Sequence, residues 1–341
     1  MRRAIALAST ARRRVSPRPW VGAVVVPGDE PDHAGYEGAT DGRAGPHAEA
    51  VALAEAGPRA AGATVYCTLE PCAHHGRTAP CADALIEAGV TRVVVGIDDP
   101  DPKVAGQGIA RLQAAGIAVD LGVLGDEIQG QLQPYLVHRR TGRPYVVLKL
   151  ATTLDGRAAA PDGSSRWITG DAARLDAHRL RADSDAILVG AGTVRADDPS
   201  LTVRLPAGEA DGVEPLRVVL GAAPTAAQVQ PAMEWDGDLH ELLDELGSRG
   251  VLQLMVEGGP RVAHLFHRAG LVDRYVIYVA PALFGGDDGR AVFAGSGAST
   301  IDAIWRGQIV EVQQLGEDLR IDLVGRDDAY ATRPRRTRTD H

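Results

Sequence analysis

The sequence is poor in cysteine, nearly without lysine, and contains no long apolar run. Its three cysteines, Cys67, Cys72 and Cys81, fall within fifteen positions of a 341-residue chain. An odd, clustered set argues against a disulfide framework and leaves metal binding as the competing explanation. No stretch approaches the roughly 18 to 20 apolar residues of a membrane-spanning helix. The start, Met1-Arg2-Arg3-Ala4-Ile5, lacks an apolar run long enough for a signal peptide. The expectation is a soluble, cytoplasmic chain with no membrane partner. An excess of positive charge is missing too: 36 Lys+Arg against 45 Asp+Glu leave a formal −9. That balance argues against a surface built for nucleic acid. On that balance a phosphorylated ligand must meet local arginines; lysine occurs only as Lys103 and Lys149. Neither an internal repeat nor a low-complexity core is found.

What is present suffices for about two compact units at roughly 150 residues each. Short β-branched runs at 20–26, 63–68 and 92–97 alternate with Ala/Leu-rich stretches at 47–56 and 81–88, which end at Gly57-Pro58 and Gly89. Such alternation implies an α/β fold, a sheet covered by helices with right-handed crossovers between parallel neighbours. A second series of strands, at 145–151, 185–190, 216–220, 252–256, 275–280 and 319–324, needs its own core. Between the two series, His138-Arg139-Arg140-Thr141-Gly142-Arg143-Pro144 combines charge with Gly and Pro and reads as a domain junction. The expected organisation is a first domain over 1–143, a second over 144–326 and a disordered tail over 327–341, with 205–215 an exposed loop.

His47-Ala48-Glu49 opens a predicted helix, Pro71-Cys72 follows the 63–68 strand, and Pro80-Cys81 opens the next helix. One imidazole and two thiolates suit Zn2+, and three protein ligands leave a fourth tetrahedral position for water, as in catalytic zinc sites. Zinc brings the pKa of bound water from 15.7 to about 7. Glu49, two residues beyond His47, is placed to take that proton and hand it to a departing amine. His-x-Glu followed by Pro-Cys and a second Cys is a signature of zinc deaminases, here with a longer gap between the cysteines. On the residues alone another reading stays open, in which His47 caps a core helix and the cysteines are small buried hydrophobes. Cys67 lies mid-strand and reads as packing; His74 and His75 read as further contacts or as exposed loop residues.

The string Thr68-Leu69-Glu70-Pro71-Cys72-Ala73-His74-His75-Gly76-Arg77-Thr78-Ala79-Pro80-Cys81 resembles the deaminase domain of the bifunctional riboflavin-biosynthesis deaminase/reductase family. Asp99-Pro100-Asp101-Pro102-Lys103-Val104-Ala105-Gly106-Gln107-Gly108 is similar to a further element of that family, with Asp101 where Asn is usual. Pro17-Arg18-Pro19-Trp20-Val21-Gly22 resembles its strand entry, with Arg18 in place of an Asn that helps hold the pyrimidine, and Thr40 stands where many relatives carry His. Asn offers a donor and an acceptor, whereas Arg offers donors only, so altered base recognition is an expectation. A protein active only as a reductase, a deaminase of another base, and a zinc-stabilised binding module are the alternatives.

The second half lacks a Gly-x-Gly-x-x-Gly fingerprint: Gly190-Ala191-Gly192-Thr193-Val194-Arg195 misses its third glycine. Val256-Glu257-Gly258-Gly259-Pro260 instead joins a strand to a helical stretch, where backbone amides can approach a phosphate. The segments 148–157, 165–169 and 195–202 resemble the reductase domain of the same family, which implies a dihydrofolate-reductase-like fold after a cytidine-deaminase-like one. The resemblance implies NADPH contacts at Ala151, Trp167, Thr193, Asp197 and the run Gly259, Pro260, Arg261, Val262, Ala263, His264 and Leu265. It implies substrate contacts at Ser165, Arg181, Leu201, Arg204 and Glu257, and catalytic roles for Lys149 and Glu257. Guanidinium forks suit the phosphate of a phosphorylated pyrimidine. Gly221-Ala222 stands where the family usually shows Asp then Ser. The family also implies a homo-oligomer.

Overall fold

The computed structural model describes residues 1–28, 35–74, 79–207, 209 and 214–326. His75 and the 327–341 tail lie outside these, as does most of 208–213. The chain divides into two compact units, Met1–Gly142 and Arg143–His341.

The first unit runs α1 (Arg2–Val15), β1 (Gly22–Val26), β2 (Tyr36–Ala39), α2 (Ala48–Ala56), β3 (Thr64–Leu69), α3 (Cys81–Glu87), β4 (Arg92–Ile97), α4 (Gln107–Ala114), β5 (Ala118–Leu121) and α5 (Gly125–Thr141). Its sheet has the order β2-β1-β3-β4-β5. β1 is antiparallel to both neighbours, and β3, β4 and β5 are parallel. Two glycines set how closely helices approach it. A Cβ on Gly22 would come within 1.9 Å of the Ala4 carbonyl oxygen of α1, and one on Gly38 within 2.0 Å of the Ala48 carbonyl oxygen of α2. Gly38 pairs with Ala23, the next residue after Gly22, so the two glycines face opposite sides and α1 and α2 cover opposite faces. α1 carries no strong apolar pattern beyond Ala4, Ile5, Ala8, Ala11 and Val15, all buried at helical spacing. The charged segment His138–Thr141 is the last turn of α5, not a connecting loop. The helix ends at Gly142, whose φ of +74° suits glycine and whose N–H donates to the His138 carbonyl at 2.8 Å.

The second unit contains β6 (Tyr145–Thr153), β7 (Arg157–Ala159), α6 (Asp171–Ala182), β8 (Ala186–Gly190), α7 (Ala191–Asp197), β9 (Leu216–Leu220), β10 (Met233–Trp235), α8 (Leu239–Ser248), β11 (Gln253–Val256), α9 (Pro260–Arg268), β12 (Arg274–Ala280), β13 (Arg290–Ala291), β14 (Gly307–Leu315) and β15 (Asp318–Gly325). Eight strands form one sheet, β10-β9-β8-β11-β6-β12-β15-β14. It is parallel from β10 to β12, and β15 and β14 continue it antiparallel. β7 and β13 form a separate pair. Alternation along the strands builds two cores. Val146, Leu148, Leu150, Leu188, Leu254 and Val256 meet Leu242, Leu246 and Phe266 on one face. Ile187, Val189, Val219 and Met255 meet Val194 and Leu201 on the other. Lys149 and Ala151, out of phase with the first core, lie on the face that α6 covers: Tyr278, paired with Ala151, donates its hydroxyl to Asp176 of α6 at 2.7 Å. Among the described residues no helix is long and apolar enough to cross a membrane.

Two candidate active sites

In the first unit, the helix-capping position of α2 is His47, and Cys81 is the first residue of α3. His47 Nδ1 lies 3.6 Å from Cys72 Sγ and 3.3 Å from Cys81 Sγ, and the three donor atoms all fall within 4.8 Å of one another. A tetrahedral ion with Zn–S near 2.3 Å and Zn–N near 2.0 Å requires N···S separations of about 3.6 Å, so the donor set and its spacing fit zinc. The Cys81 backbone N–H donates to Cys72 Sγ at 3.4 Å and the Ala82 N–H to the Cys72 carbonyl at 3.1 Å, which fixes the turn against α3. The two thiols titrate as a pair. A hydrogen bond from Cys81 pulls Cys72 down to about 4, and the same bond, burial and nearby Glu49 push Cys81 up. His47 is raised, chiefly by its hydrogen bond with Cys72. Glu49, in the first turn of α2 and 3% exposed, sits beside Cys81; burial raises its carboxyl above the ordinary range. A carboxyl whose affinity for a proton is raised in this way, beside a polar cluster, is suited to moving a proton.

Glu70 braces this loop. Its carboxylate accepts backbone N–H groups from Gly106 and Gly108 at 2.9 Å, Ile109 at 3.2 Å and Asp99 at 3.3 Å. A Cβ on Gly108 would approach the Pro71 carbonyl to 1.8 Å, so only glycine lets α4 seat beside Pro71-Cys72. The residues that depart from the family pattern have structural partners. Arg18 Nη1 donates to the Gly42 and Gly45 carbonyls at 3.0 and 2.9 Å, tying down the segment that leads to His47. Thr40 is buried and accepts the Val21 N–H at 3.0 Å, joining the strand entry to the end of β2. Asp101 accepts the Lys103 N–H at 3.0 Å, a turn that an Asn would make equally. Cys67 is fully buried in β3, is not one of the three converging donors, and has its thiol 3.8 Å from the Val94 carbonyl; His74 is exposed.

In the second unit, Glu257 follows β11, and its backbone N–H donates to the Leu188 carbonyl at 2.9 Å. Its carboxylate accepts from Nε and Nη2 along one edge of the Arg181 guanidinium at 2.9 and 3.1 Å, and both side chains are 11% exposed. Arg181 Nη1 also donates to the Thr202 carbonyl at 2.7 Å. The guanidinium fork is thus already spent on protein groups. Burial opposes charge on Glu257, but Arg181 and then Lys149 outweigh it and hold the carboxyl below its usual range. The Lys149 ammonium stands 5.9 Å from the centre of the Tyr278 ring. Sequence reasoning missed His178, one helical turn before Arg181 on α6: its Nδ1 accepts the Arg204 backbone N–H at 3.3 Å. The i,i+3 pair His178–Arg181 on one helix face was the available signal.

Of the residues expected at a dinucleotide, Thr193 and Gly259 follow the neighbouring parallel strands β8 and β11. The Gly259 N–H donates to Thr193 Oγ1 at 3.1 Å, joining the start of α9 to α7. A Cβ on Gly258 would come within 2.5 Å of Val262 and one on Gly190 within 2.8 Å, so both glycines are needed for β8 and this turn to pack against α9. Helix α9 starts at this glycine turn, and a helix N-terminus of this kind suits a dinucleotide phosphate such as that of NADPH. Within the 259–265 run, Val262 and Ala263 face the core, while Arg261 and Leu265 are exposed. Arg166 donates to the Asp197 carbonyl at 2.6 Å and brings the Ser165–Trp167 segment to α7; Trp167 itself is 67% exposed, with Arg174 stacked 4.8 Å from its ring. Leu201 turns its side chain into the core with Ile187 and Met255, which leaves only its backbone to meet the substrate expected there. Gly221 has a φ of +97°, a conformation that the family's Asp would adopt only under strain.

A family model described as the RibD C-terminal domain matches residues 144–321, and one described as the cytidine and deoxycytidylate deaminase zinc-binding region matches residues 1–97. The riboflavin biosynthesis protein RibD of Mycobacterium tuberculosis is 46% identical over 318 residues, covering 91% of this chain and 92% of that protein. Its Escherichia coli counterpart is 40% identical over 367 residues, with 95% and 98% covered. Acinetobacter baumannii RibD superposes with a TM-score of 0.87 at 38% identity over 95% of this chain and 97% of that one. A Thermotoga maritima diaminohydroxyphosphoribosylaminopyrimidine deaminase/5-amino-6-(5-phosphoribosylamino)uracil reductase gives 0.84 at 34%, again with 95% and 97% covered. The first unit is cytidine-deaminase-like and the second dihydrofolate-reductase-like. With a His/Cys/Cys cluster suited to zinc in one half and a reductase fold that uses NADPH in the other, the chain belongs to the RibD family of bifunctional riboflavin-biosynthesis deaminase/reductases.

Proposed function

We propose that the first unit deaminates 2,5-diamino-6-ribosylamino-4(3H)-pyrimidinone 5′-phosphate and that the second reduces the product, 5-amino-6-(5-phosphoribosylamino)uracil, to its ribityl form. The observation that carries the first step is the convergence of His47, Cys72 and Cys81 with buried Glu49 beside them. His47, Cys72 and Cys81 would hold zinc, and Glu49 carries a proton from water to the leaving amine, so that water enters and ammonia leaves. When bound, zinc supplies an acidified water and NADPH a hydride. In the second unit, Thr193, Asp197, Ala151, Trp167 and the Gly259–Leu265 segment hold the dinucleotide. Ser165, Arg204 and the Leu201 backbone meet the sugar phosphate. Lys149 and Glu257 serve the proton that the ribose ring oxygen gains as the ring opens and C1′ is reduced, with Arg181 fixing the Glu257 carboxylate. The protein acts in the cytoplasm on small phosphorylated pyrimidines, as a homo-oligomer.

The test is one assay scoring ammonia release and NADPH consumption separately. Glu49→Gln is expected to abolish ammonia release while NADPH oxidation on the deaminated substrate persists. Lys149→Ala is expected to do the converse. Loss of both signals from either substitution, or of neither, would overturn the assignment.

A further inference from the structure

The surroundings of His178 fix its protonation without reference to any ligand. Its Nδ1 faces two groups that can only donate: the Arg204 backbone N–H at 3.3 Å and the Arg181 guanidinium at 3.5 Å. The ring proton therefore sits on Nε2. No described residue accepts a hydrogen bond from that Nε2–H. The groups acting on the ring are Arg181 of its own helix, Arg204 from the following loop, Glu257 after β11 and Lys149 of β6. Burial first, then Arg181 and Arg204, push the imidazole down to about 4, so the ring is neutral at neutral pH.

Charge around the ring is unbalanced. Three cations stand against one carboxylate, and Arg181 already neutralises that carboxylate. Neither the exposed Arg204 guanidinium nor the Lys149 ammonium has a hydrogen bond or ion pair among the described residues. Unspent donors of one sign around a neutral donor ring are what a phosphate dianion needs.

We propose that His178 is a specificity-determining contact of the reductase: Nδ1 holds the Arg204 segment in place while Nε2–H donates to the 5′-phosphate of the substrate. This rests on the reductase reading above, and the experiment separates the two. NADPH oxidation is measured for wild type, His178→Asn, His178→Gln and His178→Ala, with the 5′-phosphorylated substrate and with its dephosphorylated form. Asn keeps an acceptor near the Nδ1 position but loses the distal donor, whereas the longer Gln amide reaches toward Nε2.

Losing one donor to a charged acceptor corresponds to about a tenfold or greater rise in KM. That rise is expected for His178→Asn and His178→Ala on the phosphorylated substrate, with kcat and the KM for NADPH little changed. The KM for the dephosphorylated substrate should not move, and His178→Gln should recover part of the loss. If His178→Asn shows the wild-type KM, the ring is a brace for Arg204 and not a donor. A KM rise equal for both substrates overturns the phosphate assignment. A wild-type protein that turns over neither substrate removes the reductase reading, and this proposal with it.

Discussion

Asp99 shows how a single buried carboxyl ties pH to stability in the first unit. It is 5% exposed, and both its oxygens accept the Tyr135 hydroxyl at 3.1 Å. Burial outweighs those bonds and raises the group to about 6. An unfolded Asp titrates near 3.9, so the folded state binds this proton more tightly, and the stability the group contributes declines as pH rises from about 4 through 6. The two-unit gap corresponds to roughly 3 kcal/mol, present in acid and gone above neutrality. Asp99→Asn removes the titration while keeping one acceptor for the Asp101 N–H. The stability difference, variant minus wild type, measured by urea unfolding, is therefore expected to grow in the variant's favour between about pH 4.5 and pH 7.5. A difference that stays constant over that range would falsify the burial argument. The same residue scale separates what was legible in the sequence from what was not. His47, Glu49, Cys72 and Cys81 were readable because metal ligation needs rare residue types in a fixed order. The bracing by Arg18 and the role of His178 were not, since ordinary polar residues gain their meaning only from partners distant in sequence.

Elements repeat this contrast. The strands at 145–151, 185–190, 216–220, 252–256, 275–280 and 319–324 all appear close to their expected limits, because consecutive β-branched and apolar residues leave few other ways to be buried. α1 and the last turn of α5 escaped notice, as Arg-rich helices with narrow apolar stripes look like linkers until a sheet face covers them. α6 is the element on which the second site turns, since it carries both His178 and Arg181. A buried ionic network ties it to the sheet: Arg320 of β15 donates through Nη1 to Asp176 at 2.9 Å and, along its Nε/Nη2 edge, to fully buried Asp322 at 2.8 and 2.9 Å. Arg274 also pairs with Asp322. Truncating Arg320 leaves buried Asp322 with Arg274 alone and Asp176 with the Tyr278 hydroxyl alone, and since a buried charge that loses its partner entirely costs about 3 to 5 kcal/mol, the expected cost lies below that range. Arg320→Ala should therefore lower the unfolding midpoint of the second unit substantially and reduce NADPH oxidation, while ammonia release at a permissive temperature stays at the wild-type level. An unchanged midpoint in chemical denaturation would mean that α6 is held by its apolar contacts alone.

For the whole molecule, the formal −9 keeps the surface unattractive to polyanions, while Arg181, Arg204 and Lys149 act together on His178. Apolar surface is distributed just as unevenly. β14 is the last strand of the large sheet, and along it Ile309 is 57%, Val310 45% and Val312 58% exposed. An edge strand with free backbone groups and bare β-branched side chains is a surface that proteins ordinarily cover or interrupt with charge. In a homo-oligomer the economical solution is an isologous contact, in which the same patch meets itself about a two-fold axis. Substituting Ile309 and Val312 together with Lys places like charges directly against one another in such a contact, while in a single chain both lie on the outside and cost little. Sedimentation velocity is expected to give a wild-type mass at least twice that of one 35.8 kDa chain, and the double variant is expected to fall to the single-chain value with an unchanged unfolding midpoint. A double variant that keeps the wild-type mass moves the interface elsewhere, and a wild-type protein already at the single-chain mass leaves β14 as an edge protected by some means other than self-association.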